Sequence, residues 1–194
     1  RAVGYSLTGK TNEQVLFFLY GIGANGKSTF VNIIQQLLGD YAQQSPSSTF
    51  MAKKTGSINN DIARLRGSRM VATTETEEGS RFDESQLKLL TGGDRVAARF
   101  LHQEHFEFQP AFKLWISGNH KPYIKGNDEG IWRRIKLLPF EHSVPTDKQD
   151  KDLPMKLAAE LSGILNWAIE GCLEWQSNGL GSCAIVDQAT SSYR

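Results

Sequence analysis

Cysteine is scarce in this chain of 194 residues, and long hydrophobic runs are missing from it. The two cysteines, Cys172 and Cys183, are too few for a disulfide scaffold and too far from any pair of histidines for a zinc site. We therefore expect a cytoplasmic protein. No segment approaches the roughly 18 uninterrupted apolar residues of a membrane-spanning helix, and none resembles a signal peptide, so no membrane association is expected.

The formal net charge is only +1, and this balance excludes few classes of function. The positive charge is nevertheless local, because residues 88–136 contain nine Lys and Arg against five Asp and Glu. Such an excess is usually a solvated face, and it suggests nucleic acid only beside an appropriate motif. The length and the apolar fraction of 39% predict one ordinary domain. The chain begins at Arg1 without an initiator Met, so we expect an excised domain of a longer protein.

A complete phosphate-binding loop, G-I-G-A-N-G-K-S, occupies residues 21–28, between an apolar run at 15–20 and an apolar-periodic stretch at 30–38. A strand that leads through such a loop into a helix points unpaired N–H groups and the positive helix end at one spot, where a polyphosphate binds. Lys27 is expected to reach the β- and γ-phosphates of ATP, and the Ser28 hydroxyl to ligate Mg²⁺. The predicted nucleotide-binding residues are Gly21, Ile22, Gly23, Ala24, Asn25, Gly26, Lys27, Ser28 and Thr29.

The same glycines satisfy G-x-G-x-x-G, the fingerprint of dinucleotide-binding oxidoreductases. That site does not call for Lys and Ser directly after the third glycine, and it needs an acidic residue about 20 positions further on. The corresponding region reads Y-A-Q-Q-S-P-S-S and contains no acid. The dinucleotide interpretation is therefore disfavoured.

Short β-branched or aromatic runs alternate with segments of helical period, which predicts an α/β domain. We expect a helical C-terminal quarter that packs through an apolar stripe between Leu157 and Leu173. The predicted strands are 15–20, a weak one within 41–51, 69–75, 112–117 and 135–139; the predicted helices are 27–38, 59–65, 83–90 and 128–133; and a two-stranded ribbon is predicted at 95–108.

Acidic side chains follow the predicted strand at 69–75, in the run T-E-T-E-E. ATP hydrolysis needs a carboxylate beside the phosphate loop to hold the Mg²⁺ shell and to orient or deprotonate the attacking water. Glu75 is the first acid at the carboxyl end of the strand, and it is the predicted catalytic carboxylate. Glu77 lies on the same side of an extended chain and could share the metal role, partly through water. The division of roles between the two acids stays open.

Asn119 follows the predicted strand at 112–117, again at the carboxyl edge of the sheet. An asparagine there can hydrogen-bond both the γ-phosphate and the attacking water. S-G-N-H-K-P is also ordinary turn chemistry, and Asn119 gains its weight only from its order after the phosphate loop and the acidic strand.

These motifs together resemble the superfamily 3 helicase domain of phage, plasmid and poxvirus-type primase-helicases, within the AAA+ class. The resemblance covers nearly the whole chain. The segments that carry it are G-I-G-A-N-G-K-S-T at 21–29, T-E-T-E-E-G at 74–79, K-L-L-T-G-G-D-R-V-A-A-R-F-L at 88–101, F-K-L-W-I-S-G-N at 112–119 and D-E-G-I-W-R-R-I at 128–135.

The resemblance implies a P-loop NTPase of AAA+ type, with a mainly parallel central sheet flanked by helices, an inserted β-hairpin and a helical C-terminal segment. The ATPase core is placed at 1–150, and a C-terminal helical segment packed on it at 151–194. A homo-oligomer is expected, in the form of a hexameric ring that moves along single-stranded DNA. A primase or origin-binding domain is expected elsewhere in the full chain, which would come from a bacterium, a phage or a mobile element.

The resemblance also assigns residues. Asn119 matches the sensor position, and Arg133 and Arg134 match the region of the arginine finger, which acts on the nucleotide of a neighbouring subunit. The run from Lys88 matches a hairpin that projects into the channel, with Lys88, Arg99 and His102 as contacts to DNA phosphates. Phe100 and Phe106 could stack on bases, although aromatic residues in a ribbon are more often core.

Two other functions compete with a helicase motor. A small-molecule or nucleoside kinase can use the same loop, but it would need an acceptor pocket and a lid, and nothing in the sequence marks either. A non-hydrolysing P-loop module could serve as a DNA-binding or assembly scaffold. Intact Lys27, Ser28 and Glu75 argue against that third interpretation.

Overall fold

The computed structural model describes residues 1–52, 60–74, 78–126 and 128–194. A five-stranded parallel sheet has the order β2-β3-β6-β1-β7, and β4 pairs with β5 in a separate antiparallel ribbon. The strands are β1 (Leu16–Tyr20), β2 (Ala42–Gln44), β3 (Met70–Thr74), β4 (Val96–Ala98), β5 (Phe106–Phe108), β6 (Lys113–Gly118) and β7 (Ile135–Pro139).

Eight α-helices and three short 3-10 helices connect and cover these strands in the described parts of the chain. The α-helices are α1 (Ala2–Ser6), α2 (Lys27–Leu38), α3 (Asn60–Ala63), α4 (Glu84–Gly92), α5 (Glu129–Trp132), α6 (Leu153–Ala159), α7 (Leu161–Asn178) and α8 (Ala184–Tyr193). The 3-10 helices are Gly39–Tyr41, Ser47–Thr49 and Thr146–Lys148.

The two faces of the sheet form two hydrophobic cores, because alternate side chains of each strand point to opposite faces. Leu16 and Phe18 of β1 belong to the core that α4, α5 and the ribbon cover, and Tyr193 of α8 packs against that core. Phe17 and Leu19 belong to the core that α1, α2 and α7 cover. Strand β1 is therefore buried on both faces, as expected for the centre of a parallel sheet.

The predicted α/β architecture with a mostly parallel sheet flanked by helices is confirmed. Helix α2 has the predicted bounds, and the ribbon predicted at 95–108 is present as two strands of three residues each. The weak strand predicted within 41–51 is reduced to β2. The boundary predicted at residue 150 stays a prediction. Among the described helices, none has both the length and the apolar character required to cross a lipid bilayer.

Candidate nucleotide site

The loop between β1 and α2 curls tightly at the carboxyl edge of the sheet. Gly26, directly before α2, has a left-handed φ of 83°, which favours glycine. Gly21 is required for a different reason: a Cβ added there would lie 2.1 Å from the carbonyl oxygen of Phe140. The two glycines thus allow the backbone to turn and to pack closely while its N–H groups stay at the start of α2.

Lys27 is buried, and its ammonium lies inside this loop. Nζ donates to the carbonyl oxygen of Gly21 at 2.6 Å and to Oδ1 of Asn25 at 2.9 Å. Burial lowers the pKa of Lys27 below its ordinary value. A bound polyphosphate would favour the charged form and oppose this effect.

A polar cavity of about 450 Å³ opens beside the loop. It brings the phosphate loop together with the residues that end β6, among them Asn119, whose role stays a prediction. Its size falls within the usual range for cofactor sites. The lining residues are Gly23, Ala24, Asn25, Gly26, Lys27, Ser28, Thr29, Asn32, Ser117, Gly118 and Asn119.

Strand β6 lies between β1 and β3, with Thr74 of β3 opposite Ser117 of β6. Parallel strands end at the same edge of a sheet, so β3 delivers the chain to the cavity side of the molecule. The predicted carboxylates Glu75 and Glu77 come directly after β3 in the sequence. Both lie outside the described residues, and their roles stay predictions.

The donor set of the cavity suits a Mg²⁺ ion that is bound mainly through a nucleotide. The Ser28 hydroxyl lines the cavity beside Lys27 and offers a hard oxygen ligand. Over residues 1–52, 60–74, 78–126 and 128–194, no group of three His, Cys, Asp or Glu could hold a metal ion. A magnesium ion held by phosphates, water and one or two protein oxygens does not require such a group.

Arg133 and Arg134 lie at the opposite edge of the sheet, just before β7 begins. Because β1 and β7 run parallel in register, Leu16 opposite Ile135 marks the edge remote from the cavity. At about 3.3 Å per residue, a strand of this length separates the two edges by about 16 Å. Both arginines are therefore far from the phosphate loop of their own chain.

The two arginines have different surroundings. Arg134 is buried, and its Nε donates to the Thr91 hydroxyl at 3.1 Å. It also donates to the carbonyl oxygen of Gly130. Arg133 is exposed and donates to Oε1 of Gln14 at 2.6 Å. The side chain of Gln14 in turn donates to the carbonyl oxygen of Gly92.

The ribbon β4–β5 presents part of the predicted DNA-binding set at its tip. Arg99 is half-buried and His102 is exposed, with a left-handed φ of 61° at the turn. Phe100 stacks on Phe106 with ring centroids 5.7 Å apart, and Phe106 packs against the core. Phe106 thus has the core role that is commoner for aromatic residues, whereas 37% of Phe100 is exposed.

Lys88, the third predicted DNA contact, lies on α4 and not on the ribbon. Its ammonium forms an ion pair with Asp128, which caps α5. The hydrogen bond from Lys88 lowers the pKa of Asp128. A contact between Lys88 and DNA would therefore compete with this ion pair.

The sequence does not predict two side-chain contacts that organise these sites. Asn25 is part of the loop motif, but its partner Phe140 is 115 residues away, beyond the reach of any local pattern. Gln14, with a left-handed φ of 53°, holds Arg133 before β1 begins. A positive φ at a residue other than glycine leaves no signal in the sequence.

A protein-family model matches residues 19–134 of this chain. Its description is "family of unknown function (DUF5906)". This range runs from the end of β1 to the buried Arg134. It contains the phosphate loop, the ribbon, Asn119 and both arginines.

Proteins of large DNA viruses are similar in sequence. A protein of Acanthamoeba polyphaga mimivirus named "Putative helicase" is 30% identical over 207 residues, covering 97% of this chain and 22% of the relative. A protein of Frog virus 3, also named "Putative helicase", is 30% identical over 190 residues, covering 89% of this chain and 19% of the relative. A protein of African swine fever virus named "Putative primase" is 28% identical over 127 residues, covering 64% of this chain and 13% of the relative. The chain spans about a fifth of the length of the first two relatives.

A solved structure shares the fold. The apo C-terminal region of NrS-1 aligns with a TM-score of 0.71, covering 100% of this chain and 46% of that one. The sequence identity is 10%, so the likeness concerns the fold alone.

Proposed function

This chain belongs to the family of unknown function DUF5906, and we propose that it is the ATP-hydrolysing motor domain of a replication helicase-primase. The names of the viral relatives, two helicases and a primase, support this role. We assign the domain to the AAA+ class of P-loop NTPases, superfamily 3. The order of its motifs and the position of β6 between β1 and β3 support that assignment.

The proposal rests on one observation: the phosphate loop and the end of β6 line the same cavity. Lys27 supplies a positive charge at the start of α2, where backbone N–H groups also converge. Asn119 lines the same cavity and can orient a water molecule or contact the γ-phosphate. The Ser28 hydroxyl would hold a Mg²⁺ ion beside the phosphates, and such an ion would supply positive charge to the reacting phosphates. Glu75, with Glu77 as alternative, would deprotonate or orient the water.

The distance between the cavity and the arginines supports assembly into a ring. An arginine about 16 Å from its own phosphate loop cannot reach a nucleotide bound there. It can reach one bound by an adjacent copy, if copies are arranged head to tail. We therefore propose a homo-oligomer, a hexameric ring, in which the exposed Arg133 stabilises charge on the neighbour's phosphates.

Single-stranded DNA is the proposed track. The ribbon tip carries the exposed His102 and the half-buried Arg99, which suit contacts to phosphate oxygens. Contacts of this kind hold a strand without regard to its sequence, as translocation requires.

ATP hydrolysis measured with and without single-stranded DNA, over protein concentrations that span assembly, tests this function. We expect the rate per subunit to rise with protein concentration and again with DNA. The matched control is Lys27→Ala, which should abolish turnover because the phosphates lose their main point charge.

Three results would contradict the proposal in different ways. ATP binding without hydrolysis under every condition would favour the scaffold interpretation. Transfer of the γ-phosphate to a small molecule, with hydrolysis indifferent to DNA, would favour a kinase. Normal turnover by Lys27→Ala would remove the cavity from the mechanism.

A further inference from the structure

The side chain of Asn25 connects the phosphate loop to a distant segment. Its Nδ2 donates to the carbonyl oxygen of Phe140 at 2.6 Å, and its Oδ1 accepts from Nζ of Lys27 at 2.9 Å. Phe140 directly follows β7. The amide orientation is unambiguous, because an ammonium can only donate and a carbonyl oxygen can only accept.

The acceptor at Phe140 is itself held in place. The segment 140–144, here called the strap, continues the β7 ladder through the N–H of Phe140, which donates to Tyr20 at 2.7 Å. The N–H of Val144 donates to the Ala24 carbonyl at 2.8 Å, and the Ser143 hydroxyl donates to the Gly23 carbonyl at 3.2 Å. The outer side of the phosphate loop is therefore bonded to the strap at three successive residues, Gly23, Ala24 and Asn25.

This arrangement constrains the direction of the Lys27 ammonium. An ammonium has three N–H donors. Among the residues that the structure describes, two of them go to Gly21 and Asn25, which leaves the third for the cavity that Lys27 lines. A flexible lysine stem with a single fixed contact would leave that donor free to rotate.

We propose that Asn25 is a positioning residue for Lys27: bonded to the strap through Phe140, it directs the third donor of the ammonium at the nucleotide phosphates. This inference rests on the proposed ATP-binding function. Asparagine suits the place because one short side chain must donate in one direction and accept in the other. An aspartate would accept on both sides and face the Phe140 carbonyl with no proton to share.

A double-mutant cycle on ATP affinity tests the inference, with a fluorescent ATP analogue as the probe. Because Asn25 acts through Lys27, Asn25→Ala should weaken binding about tenfold in the wild-type background, within the range of couplings between contacting residues. In the Lys27→Ala background the same change should matter less than about twofold. Asn25→Leu keeps the volume of the side chain without a donor or an acceptor, and should behave like Asn25→Ala. The matched control is Asn178→Ala, at the exposed end of α7, which should bind like the wild type.

The outcomes separate the inference from the function on which it rests. Equal losses in both backgrounds, or a wild-type affinity in Asn25→Ala and Asn25→Leu, would overturn the role of Asn25 while ATP binding stands. Failure of the wild type to bind the ATP analogue would instead overturn the proposed function. Thermal unfolding of each variant identifies a loss of fold, which the Leu variant is designed to avoid.

Discussion

Nε of Arg134 donates to the hydroxyl of Thr91 at 3.1 Å, and both side chains are buried. The Thr91 hydroxyl in turn donates to the Leu87 carbonyl within α4 at 2.6 Å. Arg134 thereby fastens the start of β7 to the end of α4. The adjacent Arg133 is exposed and held only by Gln14 in the described structure. Of the two arginines that the sequence offers as a finger, the geometry favours Arg133.

Stability should separate the two arginines. Arg134→Ala leaves the buried Thr91 hydroxyl and the half-buried Gly130 carbonyl without their donor, and should lower the free energy of unfolding by about 2 kcal/mol. Arg133→Ala changes an exposed side chain and should stay within about 0.5 kcal/mol of the wild type. Chemical denaturation measures both. Equal destabilisation by the two variants would contradict this division of roles.

Mixed assemblies test whether the finger acts between subunits. Lys27→Ala and Arg133→Ala subunits should each be inactive alone, since an arginine finger can be worth about 10³-fold or more in rate. Mixtures of the two should regain partial ATPase activity, because some interfaces pair an intact loop with an intact finger. The measurement is hydrolysis rate against mixing ratio.

Co-assembly of the two variants must be shown by mass or by crosslinking in the same samples. No recovery at any ratio in mixtures that co-assemble would mean that Arg133 is structural or acts within one subunit. Lys27→Ala mixed with wild type provides the reference for simple dilution.

Replacing the predicted catalytic carboxylate should separate binding from hydrolysis. Glu75→Gln keeps the size and hydrogen-bonding capacity of the side chain but removes its basicity, so ATP should bind while hydrolysis slows about 10²-fold or more. Single-turnover rates and ATP affinity measure the two effects. Glu77→Gln is the matched variant; an inactive Glu77→Gln beside an active Glu75→Gln would reverse the assignment.

DNA binding should depend on salt and hardly on sequence. Phosphate contacts release counterions, so affinity for single-stranded DNA should fall steeply between low and high ionic strength. Arg99→Ala with His102→Ala should weaken DNA binding and DNA-stimulated hydrolysis and leave basal ATP binding intact. Lys151→Ala, an exposed lysine outside the ribbon, controls for net charge. Unchanged DNA affinity in the double variant would remove the ribbon tip from the mechanism.

A buried lysine should make stability depend on pH. Lys113 is 1% exposed, and burial, with a smaller effect of Arg69, lowers its pKa to about 7. Between pH 7 and the ordinary lysine pKa of about 10.4, the unfolded chain binds more protons than the folded one. The contribution of Lys113 to stability should therefore rise with pH in that window, by up to about 1.4 kcal/mol per pH unit.

The check compares denaturation of the wild type and Lys113→Met between pH 6 and about 10. The variant should lack the rise seen in the wild type, whatever its absolute stability. Parallel curves would show that Lys113 stays charged, held by its hydrogen bonds to the carbonyl oxygens of Thr8, Lys10 and Ala111.

The apolar pattern is sufficient to predict α2 and β6, because α2 repeats apolar residues at helical spacing and β6 contains a short apolar run that is buried on both faces. It gave no indication of α1, whose five residues are too few to show a helical period. That helix is stabilised by tertiary packing of Val3 and Tyr5 against α7.

The candidate site likewise has one part that the sequence predicts and another part that it does not. Gly21 to Thr29 form a local motif, so their place at one strand–helix junction was predictable. Long-range packing decides the contact of Asn25 with Phe140. It also decides the difference between Arg133 and Arg134. The local sequence does not encode either of them. An alternating pattern cannot tell which of two neighbouring arginines enters the core when a turn separates the helix from the strand.

Helix α8 lies along β7, and the Thr190 hydroxyl accepts from the N–H of Leu137 at 3.1 Å. A side chain thus satisfies an amide that an outermost strand would otherwise offer to a foreign strand. Helix α8 therefore covers this edge of the sheet and opposes the addition of a foreign strand there. A truncation that removes α8 would expose this amide and leave an uncovered edge strand that favours aggregation. Soluble expression of shortened chains should therefore decline once residues 184–193 are lost.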